Sequence, residues 1–315
     1  MQERHRVGTR NDWRGRRVLI TGATGFIGRH LVERAIRTGA TVTTLSRAAA
    51  NIPGVSAHRI VDIGDRETTG LAIRELQPEA ILHVASSGVT EKTEFSEMLR
   101  SNAIGTDNLL SAAKSLKKPP SFVMAGSGYE YAPQTRPLTE DDPVGPRSAY
   151  GISKAAATFC AATYAAEVPI TVLRIFNVYG PGERLPRLLP YIVQNARSGQ
   201  PIELTSCEQV RDFVYVRDIA SLFWRALECQ SVGGQMRILN ASSGTAVRLK
   251  DFVCIAIRVL AKHGLKAQPE FGARPYKTGE PMYYVADTTR LRSTFGDLQF
   301  TTLDNGIKQT LEARV

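Results

Sequence analysis

Only four cysteines occur in 315 residues, Cys160, Cys207, Cys229 and Cys254, and no two of them form a CxxC pair. Zinc-site spacing is therefore absent, and scattered thiols in so large a chain read as reduced and structural. No metal is expected. Long apolar runs are missing too. The longest uncharged stretch near mid-chain, Ala155 to Ala166, carries Thr and Tyr and falls far short of the roughly 20 apolar residues a membrane span requires. The first seventeen residues contain no apolar h-region, so no leader is read there and a cytoplasmic, membrane-free protein is expected. With 43% hydrophobic and 22% charged residues, 26 Gly and 16 Pro and no internal repeat, the chain is neither disordered, coiled-coil nor collagen-like. Its length predicts about two domains, or one large domain with an added lobe. Such a chain buries about three quarters of its unfolded surface and needs no covalent staple.

Acidic residues are in the minority, and the net charge is +10. Part of that excess sits at the start, where Arg4, Arg6, Arg10, Arg14, Arg16 and Arg17 face only Glu3 and Asp12. Residues 1–15 read as a flexible basic arm ahead of the first strand. The remainder is mildly basic and shows no arginine-rich face with aromatic platforms, so nucleic acid is not an expected partner. A mildly positive body suits a small polyanion such as a nucleotide diphosphate.

The first half alternates short apolar runs with helical patterns. Strands are expected at 17–21, 41–45, 58–61, 80–84, 121–125 and 170–175, and helices at 26–38, 66–76, 93–116 and 148–167. That alternation implies βαβ units and a doubly wound parallel sheet of the α/β class. Beyond about residue 180 the pattern turns irregular. The expected division is a dinucleotide-binding Rossmann domain over 16–180, then a mostly substrate-binding lobe over 181–315 with some segments returning to the first domain.

Thr21-Gly22-Ala23-Thr24-Gly25-Phe26-Ile27-Gly28 leaves the first strand and opens the first helix. Glycines there permit a tight turn and close approach to a pyrophosphate, and the helix N-terminus supplies N–H groups and partial positive charge. Tyr150 and Lys154 stand at i and i+4, on one helix face. A free phenol titrates near 10, too high for proton transfer at neutral pH. A neighbouring ammonium, aided by a positive cofactor ring, is expected to lower it by about 3 units, toward the range proton transfer needs. Ser127 follows the strand at 121–125, at the C-terminal edge where such sheets bind ligands.

The glycine spacing resembles the extended short-chain dehydrogenase/reductase family, in its nucleotide-sugar epimerase/dehydratase group. Further matches run in order: Asp62-Ile63, His83-Val84-Ala85-Ser86, Asn102, Ser127, Tyr150-x-x-x-Lys154, Leu173 to Pro181, and Arg211-Asp212-Phe213-Val214-Tyr215-Val216-x-Asp218. The resemblance implies that Gly22, Gly25, Phe26, Ile27, Gly28, Asp62, Ile63, Ala85, Ser86 and Asn102 serve the cofactor together with Tyr150 and Lys154. It implies catalysis by Ser127, Tyr150 and Lys154. Substrate contacts are expected from Ser87, Asn177, Arg187, Arg211 and Lys277, of which an Arg suits phosphate by its bidentate fork. A homodimer is implied as well, with helices 93–116 and 148–167 forming a four-helix bundle. Ala155, Ala156, Ala157, Ala161, Ala162 and Ala165 would permit close approach.

Two departures narrow the expected reaction. The 4,6-dehydratases of the family carry Asp and Glu directly after the Ser/Thr, whereas this chain has Gly128 and Tyr129. Glu130 comes one position late, and on a strand or turn one step reverses side-chain direction, so dehydration is disfavoured. The acid that would accept the NAD ribose hydroxyl near the end of the second strand is replaced by Ser46-Arg47. Ser46 removes the repulsion toward a 2′-phosphate, Arg47 adds a cation, and Arg29 is expected to add another. The expectation is NADPH-dependent reduction of a 4-keto group on a nucleotide-diphospho-4-keto-6-deoxy sugar, with NADP(H) preferred and NAD(H) still open. A nucleotide-sugar epimerase with a recycling cofactor is the main alternative, and a non-catalytic NADP-sensing regulator the remote one.

Overall fold

A computed structural model describes residues 13–88, 93–229 and 234–313. In chain order the first part runs β1 (Arg17–Thr21), α1 (Phe26–Arg37), β2 (Thr41–Ser46), β3 (Ala57–Ile60), α2 (Arg66–Leu76), β4 (Ala80–His83), α3 (Phe95–Leu99), a π-helical turn (Arg100–Ile104), α4 (Gly105–Lys114), β5 (Ser121–Ser127), α5 (Ala149–Ala162) and β6 (Ile170–Ile175). The helix expected over 93–116 is thus three consecutive pieces. After β6 come β7 (Asn177–Tyr179), α6 (Leu188–Ser198), β8 (Ile202–Leu204), β9 (Val210–Arg211), β10 (Phe213–Tyr215) and α7 (Val216–Glu228). The chain ends with β11 (Arg237–Ala241), β12 (Val247–Arg248), α8 (Leu249–Lys262), β13 (Pro269–Phe271), β14 (Tyr283–Tyr284), α9 (Thr289–Phe295) and α10 (Leu303–Glu312).

Seven parallel strands form the central sheet in the order β11-β6-β5-β4-β1-β2-β3. Every residue of β4, β5 and β6 is buried, as a parallel sheet covered on both faces requires. On one face α1 and α7 supply Leu31, Ala35, Phe223 and Trp224. On the other, α2, α4 and α5 supply Ile73, Leu109, Leu110 and Ala157. Each of the leucine, isoleucine and phenylalanine side chains among them contributes about 1.5–3 kcal/mol on burial. Local signals set the helix starts: Asp65 accepts the Thr68 N–H at 2.8 Å to cap α2, and Ser148 accepts the Gly151 N–H at 3.1 Å to cap α5.

A separate core of Ile192, Phe252, Leu260 and Ile307 joins α6, α8 and α10 in the second lobe. Both α7 and β11 lie on the main sheet although they follow residue 181. Residues 1–12 of the expected basic arm lie outside the described residues. Trp13, assigned to that arm, is instead 2% exposed and stacks edge-on against Trp224 at 5.6 Å. The reason is apolar burial, with the Arg16 guanidinium covering the ring at 4.2 Å. Among the small residues of α5, Ala155, Ala157 and Ala161 are spent on the interior of the chain itself. The outward face carries Ile152 and Phe159 instead. Among the described residues no helix is long and apolar enough to cross a membrane.

Candidate active site

The register aligns the C-terminal ends of the strands into one edge: Thr21 lies opposite His83, and His83 opposite Met124. At this edge the glycine turn joins β1 to α1. Gly22 has φ +72°, and a Cβ on it would stand 2.5 Å from the Ala85 nitrogen. A Cβ on Gly28 would stand 2.0 Å from the Gly22 carbonyl oxygen. No other residue type fits either position. Gly25 caps α1 without a side chain, and the first turn holds no acid, so the free N–H groups and the positive helix end meet whatever lies in front of them. This cradle fits a pyrophosphate. Phe26 and Ile27 are partly buried and pack against the core, while their backbone opens the helix.

A hydrogen-bond chain braces the edge. The Ala85 N–H donates to Thr21 Oγ1 at 3.3 Å, and Thr21 Oγ1 lies 2.6 Å from His83 Nδ1. His83 Nε2 lies 3.0 Å from Thr106 Oγ1, which donates to the Asn102 carbonyl at 2.6 Å. Because Thr106 spends its proton on Asn102, His83 must donate through Nε2 and accept through Nδ1. Burial brings His83 down to about 3, aided by the Lys154 charge, so the ring is a neutral tie. Asn102, in the π-helical turn, accepts the Ser87 N–H at 2.9 Å and donates to the Ser87 carbonyl at 3.0 Å and Ser153 Oγ at 2.9 Å. Its carboxamide is wholly committed to protein groups. It ties the π-helical turn to the Ser87 peptide beyond β4 and to Ser153 of α5.

Ser127 ends β5, and α5 lays Tyr150, Lys154 and Thr158 along one face toward it. The hydroxyls of Ser86 and Ser127 lie beside the Tyr150 phenol. Burial pushes Tyr150 above its ordinary value, while those hydroxyls and the Arg187 charge draw it down. The expected lowering by Lys154 is not found in the protein alone, because desolvation dominates. Lys154 is itself brought down to about 8 by burial, with Glu130 opposing the shift. Glu130 belongs to a 3-10 turn, Gly128–Glu130, that points its carboxylate inward. There it pairs with Arg174 Nε at 2.9 Å, away from any acid role in the cleft.

Sequence reasoning missed Tyr284. Its ring stacks on Tyr129 at 4.8 Å and packs on Phe176 at 4.7 Å. Its hydroxyl is buried beside Ser127 with no hydrogen bond closed. A Cβ at Gly128 would stand 2.4 Å from that hydroxyl, so the position of the dehydratase Asp is filled by a phenol from β14. The available signal was the tandem Tyr283-Tyr284, but its pairing with β9 is a long-range fact.

At the β2 end the expected cofactor-selecting residues already have partners. Ser46 Oγ donates to the Ala48 carbonyl at 2.6 Å and lies 3.1 Å from His58 Nε2. Arg47 pairs with Glu97 at 3.1 Å. Neither His58 nor Glu97 was read from sequence. Arg29 departs from expectation: its guanidinium lies over Gly182 in the loop after β7, where a Cβ would meet it at 2.5 Å. Asp62 accepts the Gly64 N–H at 2.9 Å and pairs with Arg100 at 2.7 Å, and burial takes Ile63 into the core.

The second lobe contributes cations. Arg211, 6% exposed, pairs with Glu280 at 2.6 Å and stands opposite Val247 and Tyr284 in the β12-β9-β14 sheet. Glu280 closes a turn onto the Lys277 carbonyl at 3.0 Å, which brings Lys277 and Arg211 into one neighbourhood. Arg187 caps α6 and pairs with Glu183 at 3.2 Å. Asn177 donates its side-chain amide to the Asp212 carbonyl at 3.3 Å.

Residues 18–242 match the family model described as the NAD dependent epimerase/dehydratase family. The chain is 26% identical to the dTDP-glucose 4,6-dehydratase of Neisseria gonorrhoeae, over 94% of this chain and 94% of that one. It is 29% identical to UDP-glucuronate 4-epimerase 2 of Arabidopsis thaliana, over 96% of this chain and 76% of that one. Among solved structures, MoeE5 in complex with UDP-glucuronic acid and NAD superposes with a TM-score of 0.82 at 28% identity, over 94% of this chain and 97% of that one.

Proposed function

The chain belongs to the NAD-dependent epimerase/dehydratase family, and on that premise we propose that it reduces the 4-keto group of a nucleotide-diphospho-4-keto-6-deoxy sugar. The observation that carries this reading is the Tyr150 phenol beside the Ser127 hydroxyl at the strand edge, with Lys154 buried one turn further along α5 and Gly128 and Tyr129 where a dehydratase would hold its acids. The cofactor, held along Gly22, Gly25 and Gly28 with NADP(H) preferred, supplies the hydride. Tyr150 donates a proton to the sugar oxygen, Ser127 hydrogen-bonds that oxygen and orients it, and Lys154 holds the nicotinamide ribose and stabilises the phenolate left behind. Arg211, Arg187, Lys277, Asn177 and the Ser87 hydroxyl face the nucleotide diphosphate and sugar from the second lobe and the β4 end.

A second reading, nucleotide-sugar epimerisation with recycling NAD(H), is favoured by the Arg47–Glu97 pair, which offsets the cation meant for a 2′-phosphate. The same three residues serve it unchanged. Screening NADPH and NADH consumption over nucleotide-4-keto-6-deoxy sugars, and C4 interconversion over the corresponding 4-hydroxy nucleotide sugars with catalytic NAD, separates the two, with product stereochemistry by NMR. Stoichiometric NADPH loss supports the reductase. Interconversion without net oxidation replaces it by the epimerase.

We further propose a homodimer in which α3, the π-helical turn, α4 and α5 pack on their symmetry mates. Phe95, Ile104, Ile152 and Phe159 are exposed there, an apolar face that a two-fold contact would cover. A monomer mass by light scattering at micromolar protein overturns it.

A further inference from the structure

Glu130 has no part in the reactions above, yet it is a fully buried acid beside Ser127, at 0% exposure. Its Oε1 accepts the Ser127 N–H at 2.7 Å. Its Oε2 accepts the Thr158 hydroxyl at 2.9 Å and the Arg174 Nε–H at 2.9 Å. Gly126 makes the room, since a Cβ there would stand 2.9 Å from Oε1. Thr158 follows Lys154 by four residues and Tyr150 by eight, so the carboxylate is pressed against the helix face that carries both. One side chain therefore touches the peptide of Ser127 and the stripe holding the other two members of the set.

We infer that Glu130 is a positioning residue for Ser127, Tyr150 and Lys154: it fixes the Ser127 peptide and is the buried counter-charge that keeps Lys154 an ammonium ion. The inference rests on the acid–base role proposed for Tyr150 and Lys154. A lysine taken out of water loses its proton more readily, and burial has already brought Lys154 down to about 8 with Glu130 opposing. Around the carboxylate stand Arg174 from β6, Tyr131 after the 3-10 turn, and Tyr150 and Lys154 from α5. The Arg174 guanidinium also covers the Tyr131 ring at 4.4 Å and favours the carboxylate against the burial that pushes Glu130 up. His83, which feels the Lys154 charge, is neutral and supplies no substitute charge. The negative charge raises Tyr150 as well as Lys154. Removing it lowers both, so the working pH range moves to lower pH as a block.

The test is a titration of Lys154 by NMR in the full chain carrying 13C-labelled lysine, with the Cε resonance assigned through Lys154→Arg. The wild-type midpoint is expected near 8. In Glu130→Gln, which keeps the acceptor for the Ser127 N–H, it should fall by about one unit. Glu130→Asp, which retains the charge, should restore most of the shift. A folded Glu130→Gln protein with an unmoved Lys154 midpoint overturns the inference. Where the single variant fails to fold because Arg174 is left uncompensated, Glu130→Gln/Arg174→Met is compared with Arg174→Met, so that only the carboxylate differs, and an unchanged Lys154 midpoint between those two proteins overturns the inference. A displaced midpoint in a protein that turns over no nucleotide sugar would remove the proposed reaction and leave this inference standing.

Discussion

The two ends of the cleft are built differently. Around Ser127, Tyr150 and Lys154 the ionisable groups are buried, and Glu130 has three protein partners at 2.7 to 2.9 Å. At the β2 end, Arg47 and Glu97 have side chains 61% and 48% exposed, joined by a single ion pair. Burial makes each partner at the first end expensive to lose. Solvent screening makes the pair at the second worth little. On the proposed reading the chemistry is fixed by packing, whereas cofactor choice would rest on a few water-facing contacts that are cheap to change.

The sharpest way to break that contrast is Tyr150→Phe. It should lower turnover by about 10²- to 10⁴-fold with an unchanged melting temperature, and full activity would remove Tyr150 from the chemistry. Arg174→Met leaves the buried Glu130 without its cation and should destabilise the fold by about 3–5 kcal/mol, read by denaturant unfolding. A loss comparable to a surface substitution would mean the pair is not a buried one. Arg47→Ala should reduce the NADPH over NADH affinity ratio by about 10- to 150-fold, the worth of one hydrogen bond to a charged group. An unchanged ratio sinks the NADP(H) preference. Glu97→Gln should act in the opposite direction and by the least, raising the ratio only about twofold to fivefold, as an exposed pair allows. A drop in the ratio on that substitution would show that Glu97 supports the cofactor rather than competing for Arg47.

The same contrast governs what could be read from the sequence. β1, α2 and β6 lie where apolar runs and an Asp cap place them, because their signals are local. The glycine turn and the Tyr150/Lys154 spacing are local too. Glu130 was read as turned away from the dehydratase acid's place, but its buried partners Arg174 and Thr158 come from β6 and α5 and carry no local signal. Tyr284, His58 and Glu97 reach the cleft from segments distant in sequence, and only strand pairing and helix packing bring them there. Arg29 has a contact that its local pattern does not announce. Its position just inside α1 suggested the cofactor's ribose, yet the guanidinium runs to Gly182.

The π-helical turn at Arg100–Ile104 has a consequence for how this chain tolerates changes of length. Such a turn carries one residue more than an α-helical one, so the helix before and after it is out of phase by about 100°. That offset lets a single rod address two surfaces. Its seam presents Asn102 to the Ser87 peptide, while α4 beyond it presents Leu109 and Ala112 to the core shared with α2. Deleting one residue here would restore an even helix and rotate one of these surfaces away. The surplus residue is a spacer, and the segment is more sensitive to a lost residue than to most replaced ones.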